Sequence, residues 1–215
     1  MELRGFGLVR RIYNFLRWKG FLFRNRLPID LKRSTWSMDI QDFESIFKII
    51  KKRRPQLILE LGAGTSTVLI ASKLSKFSQS SSMISFEGES KWAEVVQEML
   101  DKYNLRRWAS LYHVPYQKYS DHIWFESQRI KEILGSKKID ILIVDAPPGG
   151  LCPHSRKPAI PFFLDYLNKY SIVLLHDAKR PDERRIIQEW SKYFQEYQIV
   201  DTPCGLAIFR FPKHN

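Results

Sequence analysis

Short apolar segments alternate with amphipathic stretches over residues 57–211, and this pattern predicts alternating strands and helices. Seven segments have the length and composition of β-strands: 57–61, 83–87, 111–114, 140–145, 172–176, 198–202 and 206–211. Five stretches between them have apolar residues at helical spacing: 66–76, 90–103, 121–134, 158–169 and 182–194. The runs at 141–144 and 172–175 contain only Ile, Leu and Val, which is typical of strands covered on both faces.

The order of these elements predicts an α/β fold. Strands that alternate with helices form a parallel sheet, with right-handed crossovers between the strands. The last two strands are joined only by residues 202–205, which leave no room for a helix, so they must form an antiparallel hairpin. We therefore expect a Rossmann-like, mostly parallel seven-stranded sheet with helices on both faces and one reversed strand.

Two more helices are predicted before the first strand. One face of the N-terminal helix carries apolar residues at helical spacing: Val9, Ile12, Tyr13 and Leu16. Arg10 and Arg17 fall on its other face. The second helix is expected to begin after Asp39, which can cap it together with Asp42 three residues later.

The positive charge is concentrated in the N-terminal segment. The chain has a formal net charge of +12, and residues 1–33 contain nine basic and two acidic residues. We divide the chain into a basic helical extension, 1–33, and a catalytic domain, 34–215. A basic amphipathic helix can pack on its own domain, contact a second subunit in a homodimer, or lie on an anionic membrane surface, and nucleic acid is a further candidate partner.

Composition excludes several protein classes. With 215 residues, 44% of them hydrophobic, the chain is long enough and apolar enough for one folded domain. No apolar run approaches the roughly 18 residues of a membrane span, and no segment resembles a secretory signal. Two cysteines are too few for a disulfide framework. We expect a cytoplasmic protein, peripheral to the membrane if residues 1–33 bind lipid.

A glycine turn follows the first predicted strand and is the most informative motif. Gly62 and Gly64 stand between the strand and a helix, where glycine permits a tight turn and the close approach of a ligand. Thr67 stands where a dinucleotide fingerprint has a third glycine. An acid, Glu60, lies inside the strand end, and Glu87 closes the second strand, where a carboxylate can bind ribose hydroxyls.

These residues resemble the class I S-adenosyl-L-methionine-dependent methyltransferases over roughly residues 36–211. Residues 60–64 resemble the family's first motif, Glu87 its ribose-binding acid, and the terminal hairpin its reversed seventh strand. The resemblance implies strand order 3-2-1-4-5-7-6 and S-adenosyl-L-methionine as cofactor, with adenine near residues 113–116. It implies these cofactor-binding residues: Glu60, Gly62, Ala63, Gly64, Thr65, Ser66, Glu87, Gly88, Pro115 and Asp145. A non-catalytic nucleotide-type ligand-binding Rossmann domain is the alternative.

Acidic residues end the fourth and fifth strands, at the same edge of the sheet as the glycine turn. Asp145, His176 and Asp177 could act as a general base on an acceptor hydroxyl. Alternatively, Asp145 and Asp177 could hold Mg²⁺ or another divalent cation. The second role resembles that of small-molecule O-methyltransferases similar to catechol O-methyltransferase, which place metal-binding acids at these two strand ends. A third interpretation is that these acids cap helices or bind ordered water.

Two arginines are candidates for binding the acceptor. Arg156 and Arg180 could bind an anionic group, or they could pair with nearby acids. Their arrangement resembles bacterial methyltransferase-domain proteins thought to act on sugars or other small hydroxylated acceptors. O-methylation of a small or glycan-like acceptor is therefore expected. An RNA or DNA methyltransferase is the alternative, because the turn after Asp145 partly resembles the Asp/Asn-Pro-Pro-aromatic motif of amino-directed enzymes.

Overall fold

The structure, a computed structural model, describes residues 3–33, 37–77 and 80–211, with side chains from residue 11 onward in the first range. The helices are α1 (Leu3–Arg24), α2 (Ile40–Arg53), α3 (Thr65–Phe77), α4 (Ser90–Lys102), α5 (Ser127–Leu134), α6 (Ala159–Phe163) and α7 (Pro181–Trp190). The strands are β1 (Leu57–Leu61), β2 (Ser82–Glu87), β3 (Ala109–His113), β4 (Tyr116–Tyr119), β5 (His122–Phe125), β6 (Ile139–Val144), β7 (Leu167–His176), β8 (Glu196–Val200) and β9 (Leu206–Arg210). Short 3₁₀ helices follow α6 and α7, at Leu164–Tyr166 and Ser191–Tyr193.

Seven strands form one sheet in the order β3-β2-β1-β6-β7-β9-β8. The β1–β2, β1–β6, β2–β3 and β6–β7 pairs are parallel, whereas β9 is antiparallel to both β7 and β8. When only the seven strands of this sheet are numbered along the chain, their order is 3-2-1-4-5-7-6, and the seventh strand is reversed. The predicted fold class and strand order are confirmed.

Two predicted helices have different bounds in the structure. The stretch 121–134 is helical only from Ser127, because β4 and β5 form a separate antiparallel hairpin ahead of it. Ile123, Ile130 and Leu134 fall at helical spacing, so the apolar pattern could not separate the two structures. The stretch 158–169 is helical only to Phe163, because β7 extends back to Leu167, which pairs with Ile139 of β6.

The apolar core lies on both faces of the sheet. Alternate residues of the central strands point in opposite directions, so that Ile58, Ile141 and Ile172 pack with α2, α3 and α4. Leu59, Leu142 and Val173 pack on the other face, with α5, α6, α7 and the β4–β5 hairpin. Both faces of β1, β6 and β7 are therefore covered, as their continuous apolar sequences predict.

Among the described side chains of α1, those from Trp18 onward join the core. Trp18, Phe21 and Leu22 are buried against α2, where the Phe21 ring lies 6.0 Å from the rings of both Phe43 and Phe47. Residues 18–31 thus contribute to the core, and the predicted boundary at residue 33 marks a change in charge rather than the edge of the fold. Among the described helices, none is both long enough and apolar enough to span a membrane.

The described side chains of α1 before Trp18, those of residues 11–17, are exposed to solvent. A helix is confirmed there, but Ile12, Tyr13 and Leu16 of its predicted apolar face are exposed. The side chain of Val9 lies outside the described part of the chain. The interpretation in which this face packs on the protein's own domain is therefore wrong for these three residues.

Candidate functional site

The strands β1, β2, β6 and β7 are parallel and end at the same edge of the sheet, where open parallel sheets have their ligand crevice, and the turn after β1 lies at this edge. The Gly62 amide donates to the Phe86 carbonyl at 2.9 Å, and the Asp145 amide donates to the Leu61 carbonyl at 2.9 Å. Gly62 has a φ of +96°, and a Cβ there would lie 2.9 Å from the Cβ of Ala146. Only glycine fits, because both the backbone conformation and the neighbouring strand end exclude a side chain.

Glu60 is fully buried beneath this turn. Its Oε2 accepts hydrogen bonds from the hydroxyls of Thr67 at 2.5 Å and Ser85 at 2.7 Å. Its Oε1 has no hydrogen-bond partner among the described residues. Burial raises the pKa of Glu60 to about 7, although the nearby hydroxyls oppose this shift. A buried carboxylate oxygen without a donor is costly, so this atom is a candidate acceptor for a ligand's ammonium group.

Glu87, at the end of β2, accepts hydrogen bonds from the backbone of the turn and of the loop after β2. Its Oε2 accepts from the Ala63 amide and its Oε1 from the Glu89 amide, both at 3.0 Å. Burial raises the pKa of this carboxyl, and the backbone amides act against the shift. Trp92 Nε1 donates to the Ala63 carbonyl at 2.8 Å. The loop that carries Ala63 is thus fixed from two sides.

The structure places the other predicted cofactor residues around this turn. A Cβ at Gly64 would meet no atom within 4 Å, so the space above it is open. Thr65 and Ser66 are buried in the first turn of α3. A Cβ at Gly88 would collide with the ring of Tyr116 at 2.1 Å, so Gly88 is required by this packing. Pro115 is exposed, and its carbonyl accepts from the Glu126 amide.

On the other side of the crevice, His176 lies between acids from two different elements. Its Nδ1 is 2.9 Å from Asp145 Oδ1, and its Nε2 is 3.5 Å from Oδ2 of Asp42 in α2. Burial disfavours the charged ring, but these carboxylates raise the pKa of His176 to about 11. His176 is therefore an imidazolium at neutral pH and cannot accept a proton there, so the predicted role as a general base does not fit it.

Arg156 lies in the loop after β6 and is almost completely buried. Its Nη2 lies 3.2 Å from Asp145 Oδ1 and 3.3 Å from Asp177 Oδ2, and its Nη1 lies 3.5 Å from Glu183 Oε1. It also donates to the His176 and Pro147 carbonyls. Because these contacts occupy the guanidinium, Arg156 does not fit the predicted role of binding an acceptor.

Arg180 differs from Arg156 in exposure. Its Nη1 pairs with Asp177 Oδ2 at 2.8 Å, but about half of its side chain is open to solvent, 49%. Asp177 itself is buried and has a left-handed backbone, with a φ of +62°. Arg180 therefore remains the candidate for contact with an anionic acceptor group.

The predicted cation site does not fit a divalent metal ion. The guanidinium of Arg156 occupies the position between Asp145 and Asp177 that a cation would need. His176, Asp177 and Cys204 also have potential ligand atoms within 4.8 Å of one another. However, His176 is protonated, and burial raises the pKa of the Cys204 thiol. A metal ion would have to displace the Arg156 guanidinium at the first place, or the protons of His176 and Cys204 at the second.

The same fold occurs in solved methyltransferase structures. The O-methyltransferase TomG from Streptomyces achromogenes, in complex with SAM, superposes with a TM-score of 0.63 at 14% identity over 92% of this chain and 89% of that chain. A methyltransferase from Geobacter sulfurreducens gives 0.62 at 17% identity over 93% and 90%. The O-methyltransferase from Bacillus cereus, in complex with SAH, gives 0.63 at 14% identity over 91% and 90%. No protein-family model matches the sequence, and no curated protein matches it.

The chain has the class I methyltransferase fold. In this fold the glycine turn, Glu87 and the two acidic strand ends face one crevice, as the sequence predicted. Sequence reasoning assigned Asp42 only to the cap of α2 and missed its contact with His176. Tyr116, in the segment expected near adenine, packs its ring on Gly88. Sequence reasoning also left open whether Arg156 is buried. A long-range ion pair such as Asp42 with His176 leaves no local signal in the sequence.

Proposed function

We propose that the protein transfers a methyl group from S-adenosyl-L-methionine to a hydroxyl oxygen of a small acceptor, without a divalent cation. The observations that carry the proposal are the unpaired Oε1 of Glu60, buried under the glycine turn, and the open space above Gly64 in the same turn. An ammonium group of the cofactor would supply the donor that this oxygen lacks. Glu87, already oriented by two backbone amides, would accept hydrogen bonds from the ribose hydroxyls.

The fold neighbours support hydroxyl oxygen as the methyl acceptor. TomG and the Bacillus cereus protein are both O-methyltransferases whose structures contain SAM or SAH. S-adenosyl-L-methionine supplies an electrophilic methyl group on a sulfonium sulfur. The acceptor oxygen forms a bond to this carbon as the carbon–sulfur bond breaks, and the hydroxyl proton is lost. The main contribution of the chain is to hold the two reacting atoms in line.

Asp145 is the candidate for receiving that proton. His176 and Arg156 both contact its Oδ1, which leaves Oδ2 as the oxygen that would accept the proton. Burial would raise the pKa of Asp145, but the two cations outweigh burial and hold it below its ordinary value. Such a carboxylate is a weak base. We therefore expect an acceptor whose hydroxyl is itself acidic, such as a phenol, before a sugar hydroxyl.

Buried cations would replace the metal ion in this mechanism. Arg156 and His176 neutralise Asp145 and Asp177 from within the protein, and Arg180 contributes a third positive charge at the crevice edge. Asp177 and His176 act as positioning residues, because their contacts orient Asp145 and Arg156. An anionic group on the acceptor would bind near the exposed part of Arg180.

Two measurements test the proposal. Calorimetry with S-adenosyl-L-methionine is expected to show one site, and no binding by a folded sample would overturn the whole proposal. Transfer of a labelled methyl group is then measured with phenols, sugars and RNA, each with and without a chelator. Phenols are expected to react best, at a rate that the chelator leaves unchanged. A rate that falls tenfold and recovers with Mg²⁺ would disprove the metal-free mechanism.

The same panel separates the alternatives. Transfer to RNA alone would support a nucleic-acid methyltransferase instead. Tight cofactor binding without transfer to any class of acceptor would support a non-catalytic ligand-binding domain. Asp145→Asn should retain cofactor binding and lose transfer, whereas the exposed control Asp165→Asn should change neither.

A further inference from the structure

Helix α1 has two apolar sides, and only one of them is covered. Trp18, Phe21 and Leu22 face the core. On the outer side, large apolar side chains are exposed by about half or more: Ile12 51%, Phe15 58%, Leu16 61% and Phe23 77%. These four residues define the outer stripe, because helical spacing puts them on one side of α1, away from the core. Isolated exposed apolar residues are common, but four on one side of a helix, with Lys19 between Leu16 and Phe23, indicate a contact surface.

Basic residues surround the outer stripe. Residues 11–33 contain one acid, Asp30, and seven basic residues: Arg11, Arg17, Lys19, Arg24, Arg26, Lys32 and Arg33. The Lys19 ammonium lies 5.4 Å from the Phe15 ring centre, and the Arg17 guanidinium 5.7 Å from that of Tyr13. Cationic groups that lie beside exposed aromatic rings fit a boundary between apolar and charged surroundings.

The stripe also has a defined position relative to the crevice. Trp18 contacts Phe43 in the first turns of α2, whereas Asn25 contacts Lys73 near the end of α3. Since α2 and α3 both begin at the crevice edge, α1 runs parallel to α2, with its N-terminal end at that edge. Its residues before Trp18 therefore extend beyond the start of α2, on the crevice side, by roughly 20 Å at 1.5 Å per residue.

We propose that α1 docks on an anionic lipid bilayer, with the outer stripe in the headgroup region and the basic residues against the lipid phosphates. The parallel arrangement of α1 and α2 then places the mouth of the crevice close to the bilayer surface. A second copy of the chain fits this surface less well, because two copies of the same cationic helix repel each other. Nucleic acid fits less well too, since its backbone offers no apolar partner for Ile12, Leu16 or Phe23.

Vesicle flotation of the full chain tests the docking directly. Binding is expected with vesicles of equal phosphatidylglycerol and phosphatidylcholine at low salt, and at least tenfold weaker binding with phosphatidylcholine alone. Ile12→Glu combined with Leu16→Glu should lower the partition coefficient at least tenfold. The matched control is Tyr170→Glu with Ile199→Glu, which changes two exposed apolar residues elsewhere and should leave binding unchanged. Thermal unfolding and cofactor binding of both variants show whether each remains folded.

Three outcomes would overturn the docking proposal. One is equal binding by the stripe variant and the control. A second is a stable dimer in sedimentation that loses its partner through Ile12→Glu and Leu16→Glu while vesicles are not bound. A third is RNA binding that depends on the stripe in the absence of lipid binding. The proposal does not depend on the activity proposed above, because its measurements are lipid binding and oligomeric state rather than methyl transfer.

Discussion

The two ends of the crevice differ in whether their acidic groups already have cationic partners within the protein. At the cofactor end, Glu60 is buried with one oxygen unpaired, and the space above Gly64 is open. At the acceptor end, Asp145 and Asp177 already have Arg156 and His176 as partners. The first end needs a cation from outside, and the second has its cations built in. In the proposed function, the first end thus receives its cation from the cofactor, whereas the second end receives its cations from the protein itself.

The strongest test of this comparison removes the cation from the acceptor end. Arg156→Met removes one cationic partner from three carboxylates, of which those of Asp177 and Glu183 are buried, and breaking such a network lowers the free energy of unfolding by about 3–5 kcal/mol. Arg180→Met is the matched control, because an arginine that is half exposed contributes only about 0–1 kcal/mol. Denaturant unfolding of both variants measures the difference. Equal effects would mean that burial of the network does not matter.

A substitution at the cofactor end should affect binding rather than folding. Glu60→Gln keeps the shape of the side chain but removes the negative charge offered to the cofactor. A hydrogen bond to a charged group contributes about 1.5–3 kcal/mol, which corresponds to roughly 10- to 100-fold in Kd for S-adenosyl-L-methionine. Glu98→Gln, on the exposed side of α4, is the control and should bind as the unchanged protein does. Calorimetry measures both, and identical affinities would remove Glu60 from the site.

Substitutions at the two glycines of the turn should affect different properties: stability at Gly62 and cofactor binding at Gly64. Gly62→Ala forces a side chain into a positive-φ position that already contacts Ala146, so we expect a loss of about 2 kcal/mol in unfolding free energy. Gly64→Ala places its Cβ in open space and should leave stability unchanged. If the cofactor passes over Gly64, that variant should nevertheless bind it more weakly. Unfolding and calorimetry together decide the point.

The smallest expected effect is the pH dependence of cofactor binding. With a pKa of about 7, Glu60 is mostly protonated at pH 6 and mostly ionised at pH 8. A cationic ligand binds the ionised form, so affinity should rise roughly tenfold as pH increases from 6 to 8. Glu60→Gln should show a flat profile over this interval. A rise that persists in the variant would assign the titration to another group.

The apolar periodicity predicted the fold well, because each central strand is covered on both faces and its sequence shows this directly. Periodicity was less informative where one pattern fits two structures. In α1, Ile12 and Leu16 have the same helical spacing as Trp18 and Leu22, yet only the latter pair is buried. Which side of a helix meets the core depends on where its neighbours lie, and that information is not local.

The candidate site was predictable to a similar degree. Gly62, Glu87 and Asp145 were found because strand ends of a parallel sheet converge at one edge. The protonation of His176 was not predictable, since it depends on Asp42, which is 134 positions away in sequence. The burial of Arg156 was also hidden, because a loop sequence does not show which arginine the fold encloses.

The contact between Gly62 and Ala146 has a consequence for sequence variation. A Cβ at Gly62 would lie 2.9 Å from the Cβ of Ala146. The space between the glycine turn and the residues just after β6 therefore has room for only one of these two side chains. Substitutions at these two positions should therefore be strongly epistatic. A larger residue at position 146 would push on the glycine turn even though it lies on a different strand. Libraries designed to change the acceptor should accordingly keep Ala146 and diversify the exposed loop positions after it.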